Sequence, residues 1–173
     1  MTNPSRLELL RWQTDFTWSL FEYHLDRLEP EDHLWEPAAN CWTLRPDGAG
    51  GWVPDWAETE PEPVPVPTVA WVGWHVGWWL GTATDHVRGG EVRARDDVKW
   101  PGPGEPAVAW LREVYAQWAA AVDALDEGEL GRPSGYPWSA DAGLTVGHLL
   151  AWVNAELMKN VAEIGQLRLI RAA

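Results

Sequence analysis

At 173 residues with a hydrophobic fraction of 46%, the chain has the size of one domain, 1–173, with room for a substantial core. Its 26 acidic residues against 13 basic ones give a net charge of −13, which repels nucleic acid and anionic membrane surfaces, and no basic cluster offsets it. One cysteine, Cys41, excludes an intramolecular disulfide and a cysteine-rich metal site; no run approaches the roughly 18 apolar residues of a membrane span, and the N-terminal Met-Thr-Asn-Pro-Ser-Arg-Leu-Glu lacks the apolar core of a signal peptide, so the chain reads as cytoplasmic.

The first helix is expected from Ser5, a capping residue, to about Leu28, with Leu9, Leu10, Phe16, Leu20, Phe21 and Leu28 as its apolar pattern and Pro30 as its stop. A long loop, 29–67, follows and ends in Glu60-Pro-Glu-Pro-Val-Pro-Val-Pro67, where the prolines favour extended geometry and forbid helix. Loops of this length in a domain are usually functional or packed by their own side chains. Trp35, Trp42, Trp52 and Trp56 are the residues that would do the packing. Fifteen tryptophans in all are either core wedges or the lining of a groove, pocket or subunit interface.

Thr68 caps a second helix that stops before Gly89-Gly90, a left-handed C-cap signal. Trp100-Pro-Gly-Pro-Gly-Glu-Pro106 is a second breaker, and Pro106 suits the first turn of helix three, which carries Val108, Leu111, Val114, Tyr115, Trp118, Val122 and Leu125. After a loop over 128–143, helix four runs from Thr145 to about Arg171. No strand pair stands out. Four helices, each with one apolar face, describe an all-α four-helix bundle.

Helix four carries a polar stripe. Glu156, Asn160 and Glu163 stand at i, i+4 and i+7, on the side shared with Leu149, Trp152, Val153, Leu167 and Ile170. Carboxylates aimed at a core need a cation, a proton or a metal. On helix two, His75 is flanked by Trp71, Val72, Trp78 and Trp79 at helical spacing and points into an apolar face. Two arrangements follow. In one, His75, Glu156 and Asn160 hold a divalent metal (zinc, nickel or iron) with an open position, and Glu163 acts as general base. In the other, Lys159, three residues after Glu156 and four before Glu163, bridges both carboxylates in a metal-free network. His148, two turns before Glu156, either joins the stripe from above or, like His86, is a surface or boundary residue; His24, with Leu20, Phe21 and Leu28 near it, is expected to face inward; His33 carries no signal, and Cys41 beside Trp42 reads as inert.

His75 in its apolar helix, the stretch Asn40-Cys-Trp-Thr-Leu-Arg45, and the run from Glu156 to Arg168 ending in Ile164-Gly-Gln-Leu-Arg resemble the DinB-like superfamily over nearly the whole chain. The resemblance implies a four-helix bundle of up-up-down-down course, a homodimer, and a divalent metal held by three histidines, one on helix two and two four residues apart on helix four. It also implies a metal-dependent enzyme. Characterised relatives transfer a low-molecular-weight thiol, bacillithiol or mycothiol, to an electrophile, and others are hydrolases. By position the three ligand places fall on His75, Glu156 and Asn160, so one histidine of three is kept, and Glu163 takes a place often held by a further polar residue. Arginine outnumbers lysine here, which points to mycothiol as co-substrate. The competing expectation is a non-catalytic protein that binds a small molecule or a partner subunit and retains a degenerate metal site.

Overall fold

The computed structural model describes residues 3–173. Met1 and Thr2, which open the stretch read for a signal peptide and fall within the expected 1–173 domain, lie outside the described residues. Helix α1 spans Arg6–Leu25, α2 Val69–Arg88, α3 Glu105–Asp123 and α4 Val146–Arg171. The fold is the expected all-α four-helix bundle.

The caps follow the sequence. Ser5 Oγ accepts from the Glu8 amide at 3.1 Å and Glu8 returns the bond to the Ser5 amide at 2.6 Å, a capping box that fixes the start of α1. Thr68 caps α2, and Gly89 ends it in the left-handed region at φ 71°, where a side chain would clash. Helix α1 ends three residues before the expected Leu28. The Arg27 and Leu28 amides turn back to the carbonyls of His24 and Leu25, tightening the chain into a 3₁₀ turn ahead of Pro30.

Side-chain partners set the course. Asn154 meets Leu10 and Gln13, and Gly165 faces His24, so α1 and α4 run parallel. Arg11 reaches the Val122 carbonyl and Arg112 pairs with Glu22, so α3 runs against α1. The Trp79 indole meets Asn160 while His75, a turn earlier on α2, sits with Lys159 and Glu163 in one pocket, so α2 also runs down. The course is therefore up-down-down-up, with α2 parallel to α3, where the resemblance implied up-up-down-down. The crossing of the bundle falls to residues 89–104. The long first loop crosses nothing: the Ala70 amide donates to the His33 carbonyl at 2.8 Å, so α2 begins beside the end of α1. Residues 34–67 are left to form a wall.

That wall contains short strands the sequence does not announce. β1 (Cys41–Trp42) pairs in parallel with β4 (Val66–Pro67), and β2 (Leu44–Pro46) pairs antiparallel with β3 (Trp52–Pro54). Two or three residues are too few for an alternating pattern, and the prolines sit at edges that need no amide. Asp55 holds the wall together. It accepts from the Thr43 amide and takes Arg45 in a bidentate pair, with all three contacts at 3.0 Å.

The core is built on Trp74, Trp79, Trp118, Phe21 and the leucines of α2 and α4. On α1 the buried face is Leu7, Thr14, Thr17, Trp18, Phe21 and Leu25, and this corrects the expected apolar pattern. Leu9, Phe16 and Leu20 are exposed. Thr14 goes inward because it finds partners in the Leu10 carbonyl and Asn154, and Thr17 is buried one turn on although its hydroxyl has no partner, so small residues replace bulk on this face of α1. Between α2 and α3, Gly77 lies under the Trp110 indole, and an added Cβ there would fall inside the ring.

Candidate functional site

Helix α2 carries no charge from Val69 to Thr84, and His75 is its one ionisable group along that stretch. Its imidazole stacks on Trp71 at 4.9 Å and 14° and meets Trp78 edge-on at 5.8 Å. Burial, with Lys159 nearby, pushes its pKa down to about 4, so the ring is neutral at pH 7. Its Nδ1 is buried without a hydrogen-bond partner.

On α4, Asn160 is 1% exposed. Its Oδ1 accepts from Trp79 Nε1 at 3.1 Å and its Nδ2 donates to Glu163 Oε2 at 2.7 Å. The two glutamates are less buried than the stripe suggested, with 21% of the Glu156 side chain and 38% of the Glu163 side chain exposed. The helical period explains this. With Asn160 facing the core, positions four before and three after both fall to one flank, where Lys159 also lies. Lys159 Nζ stands 2.8 Å from Glu156 and 3.7 Å from Glu163.

His75, Lys159, Asn160 and Glu163 line one pocket of about 440 Å³ between α2, α4 and the loop wall. Glu156 does not line it. Trp42, Trp56 and Trp71 form the aromatic side. Trp42 stacks on the Trp71 ring at 4.9 Å, Trp56 lies 6.4 Å from the same ring, and Trp71 Nε1 donates to the Asp55 carbonyl at 2.8 Å. Thus Trp42, Trp71 and His75 stack in series, and the wall is bonded to α2 through the ring that also carries the histidine. Glu58 and Glu60 complete the lining, and neither has a spacing that marks it in the sequence. Arg95 lies over the Trp56 ring at 4.6 Å and pairs with Glu58 at 3.2 Å, a cation held jointly by an aromatic face and a carboxylate.

The other titratable side chains have local duties. His148 closes the α4 capping box with Thr145, and His86 stacks on Tyr136 at 4.9 Å. His33 is buried, which pushes its pKa down to about 4. Burial and neighbouring carboxylates push the Cys41 thiol up to about 11, so little thiolate forms at neutral pH.

The residues at the three ligand places do not fit a resident divalent ion. A metal-bound histidine nearly always anchors its second nitrogen on an acceptor, and His75 Nδ1 has none. The Asn160 oxygen already accepts the Trp79 N–H. Glu156 turns to the Lys159 ammonium, which also faces Glu163. Among the described residues, no three His, Cys, Asp or Glu side chains gather closely enough to hold a metal. The site is instead an aromatic-walled cleft with a neutral imidazole, a buried amide and a lysine–carboxylate cluster.

A sequence model of the DinB superfamily matches residues 13–164. The chain belongs to the DinB superfamily. The match takes in all of α2, α3 and the loop wall, most of α1, and the pocket side chains of α4. No curated protein matches the chain. Among the described residues no helix is long and apolar enough to cross a membrane.

Proposed function

We propose that this DinB superfamily member binds a small organic molecule in the cleft between α2, α4 and the loop wall, without a resident metal. One observation carries the reading: His75, Asn160 and Glu163 line a single pocket of about 440 Å³ whose opposite side is tryptophan. Pockets of about 300–1,000 Å³ with apolar walls and a few convergent polar groups are the usual form of a small-molecule site. The indole faces of Trp42 and Trp56 would take a planar or apolar body, and Lys159, Asn160 and Glu163 would fix its polar end.

Trp42, Trp56 and Trp71 report on occupancy. Titration with toluene, phenylacetate and phenethylamine, which do not absorb where tryptophan is selectively excited, should quench tryptophan emission saturably, and Trp56→Ala with Asn160→Leu should abolish the saturable part. If none of the three compounds quenches saturably, the reading loses its support. Because a ligand of the native state alone raises the melting temperature, a chelator should leave the melting curve unchanged.

A second reading is a metal-dependent transferase or hydrolase, with zinc, nickel or iron and with mycothiol as co-substrate. It draws on the superfamily and on His75, whose imidazole is neutral at pH 7 and so has a lone pair to give. It requires the ion to displace Lys159 from the glutamates and the Trp79 N–H from Asn160. Elemental analysis of protein purified without a nickel column separates the two. Near one equivalent of metal, lost in Glu156→Ala, would favour the enzyme, and metal-free protein favours the binder.

A further inference from the structure

The cleft between α2, α4 and the loop wall has a charge of its own. Among the described residues Lys159 is the only cation that lines it, against Glu58, Glu60 and Glu163. Its ammonium is held between Glu156 at 2.8 Å and Glu163 at 3.7 Å. Arg95, at the rim, is likewise shared, by Glu58 at 3.2 Å and Asp96 at 3.1 Å. Each of these cations is therefore outnumbered by carboxylates two to one before Glu60 is counted. Two ring nitrogens, Trp56 Nε1 and His75 Nδ1, are buried without a hydrogen-bond partner, and they add no positive charge. The indole is neutral, and burial pushes the His75 pKa down to about 4, so that ring is neutral at pH 7 as well.

The rest of the lining is largely indole. Trp42 and Trp56 face the same space as the three glutamates. An indole face is itself electronegative and attracts cations more strongly than the other aromatic side chains do. Arg95 displays the contact inside the fold: its guanidinium carbon stands 4.6 Å from the centre of the Trp56 ring, with Glu58 as counter-ion.

We infer, on the reading of this cleft as a small-molecule site, that its ligand is an organic cation, an ammonium group carried on an apolar or aromatic body. The body lies against the tryptophans. The positive nitrogen takes an indole face on one side and the carboxylates of Glu60 and Glu163 on the other, repeating what Arg95 does with Trp56 and Glu58. An anion would have to draw Lys159 away from two glutamates and enter beside Glu58 and Glu60. The net charge of −13 acts in the same direction at longer range, raising the local concentration of cations.

Calorimetric titration of the full chain with three phenyl compounds of similar shape tests the class. Phenethylamine, 2-phenylethanol and phenylacetate are positive, neutral and negative at pH 7. Phenethylamine should bind about tenfold more tightly than 2-phenylethanol, the scale of a partly desolvated cation–π contact backed by carboxylates, and phenylacetate more weakly than either. Added salt should shrink the advantage of the amine and leave 2-phenylethanol unchanged. Glu60→Gln with Glu163→Gln should reduce the advantage to about threefold, what the indole contact supplies alone, and Lys159→Met should raise it. Glu91→Gln with Glu105→Gln changes the net charge equally at positions that do not line the cleft and should leave the advantage as it was. Far-UV circular dichroism checks that each variant remains helical, and Glu60→Gln, in an exposed stretch of the wall, serves alone if the pair does not fold. If 2-phenylethanol binds and phenethylamine gains nothing over it, or phenylacetate binds most tightly, the cleft remains a small-molecule site and the cation is overturned. An advantage that the cleft substitutions leave intact, or that the distant pair removes, overturns it too. If none of the three compounds binds, the small-molecule reading itself falls and takes the cation with it.

Discussion

Two asparagines on α4, six positions apart, are both buried, and they do opposite things. Asn154 closes every hydrogen bond inside the fold: Thr14 donates to its oxygen, and its amide donates to the Leu10 carbonyl at 3.1 Å and to Gln13 at 3.2 Å. It ties α1 to α4 and faces no cavity. Asn160 receives the Trp79 indole on one side and on the other joins Glu163 at the edge of the tryptophan-lined pocket. Burial of a polar side chain alone thus does not mark a site. What separates the two is whether the network ends inside the protein or reaches a space a ligand can enter.

The comparison can be broken by substitution. Asn154→Leu should cost the most, about 3 kcal/mol in urea unfolding, because it removes at once the bonds to Thr14, the Leu10 carbonyl and Gln13 that tie α1 to α4, each worth about 1 kcal/mol. The fraction still folded should bind the phenyl compounds with unchanged affinity. Asn160→Leu should cost less, about 1–2 kcal/mol, because the Glu163 it releases can still reach water and only the Trp79 N–H is left buried. Its larger effect should be loss of ligand quenching. If the two variants swap these phenotypes, the distinction fails.

Acid should be the next largest effect. His75 and His33 both titrate near pH 4 in the folded chain, against about 6.5 when unfolded. The unfolded chain therefore takes up protons first. Stability should be full above about pH 6.5 and fall steadily as pH drops toward 4. His75→Phe should flatten part of that slope in urea titrations between pH 7 and 4.5, and an unchanged slope would mean that the imidazole is not buried as described. The smallest effect should come from Lys159→Met. Its ammonium is half exposed, so stability should change by less than about 1 kcal/mol. A loss beyond that would mean the lysine–glutamate cluster holds α4 in place rather than bordering a pocket.

Much of the bundle was legible because caps and breakers are local. Ser5, Thr68, Gly89, Pro106 and Thr145 each act within one turn, and each marks a helix boundary in the structure to within a residue or two. Helical spacing showed that His75 lies on an apolar face of α2 and that Asn160 and Glu163 share a side of α4, but not that these two sides meet across one pocket, nor that Glu156 stays out of it. What was not legible depends on long-range choice. Leu9, Phe16 and Leu20 carry the same periodicity as a buried face, and only the pairing of Thr14 with Asn154 decides that α1 turns them outward. Glu58 and Glu60 reach the pocket because Trp71 and Asp55 fasten the wall to α2, a connection no local pattern encodes. The strands of that wall are too short to leave an alternation.

The wall between His33 and Val69 has an evolutionary corollary. It leaves and rejoins the bundle at neighbouring points, with Ala70 bonded to His33, so its length is nearly free of the helices' own packing, while Trp42, Leu44, Asp55 and Trp56 anchor it to the bundle. Insertions or deletions between these anchors would reshape what the cleft recognises while the scaffold stays intact. New specificities can arise in such an architecture by exchanging the stretches between these anchors, with little repacking of the four rods beneath them.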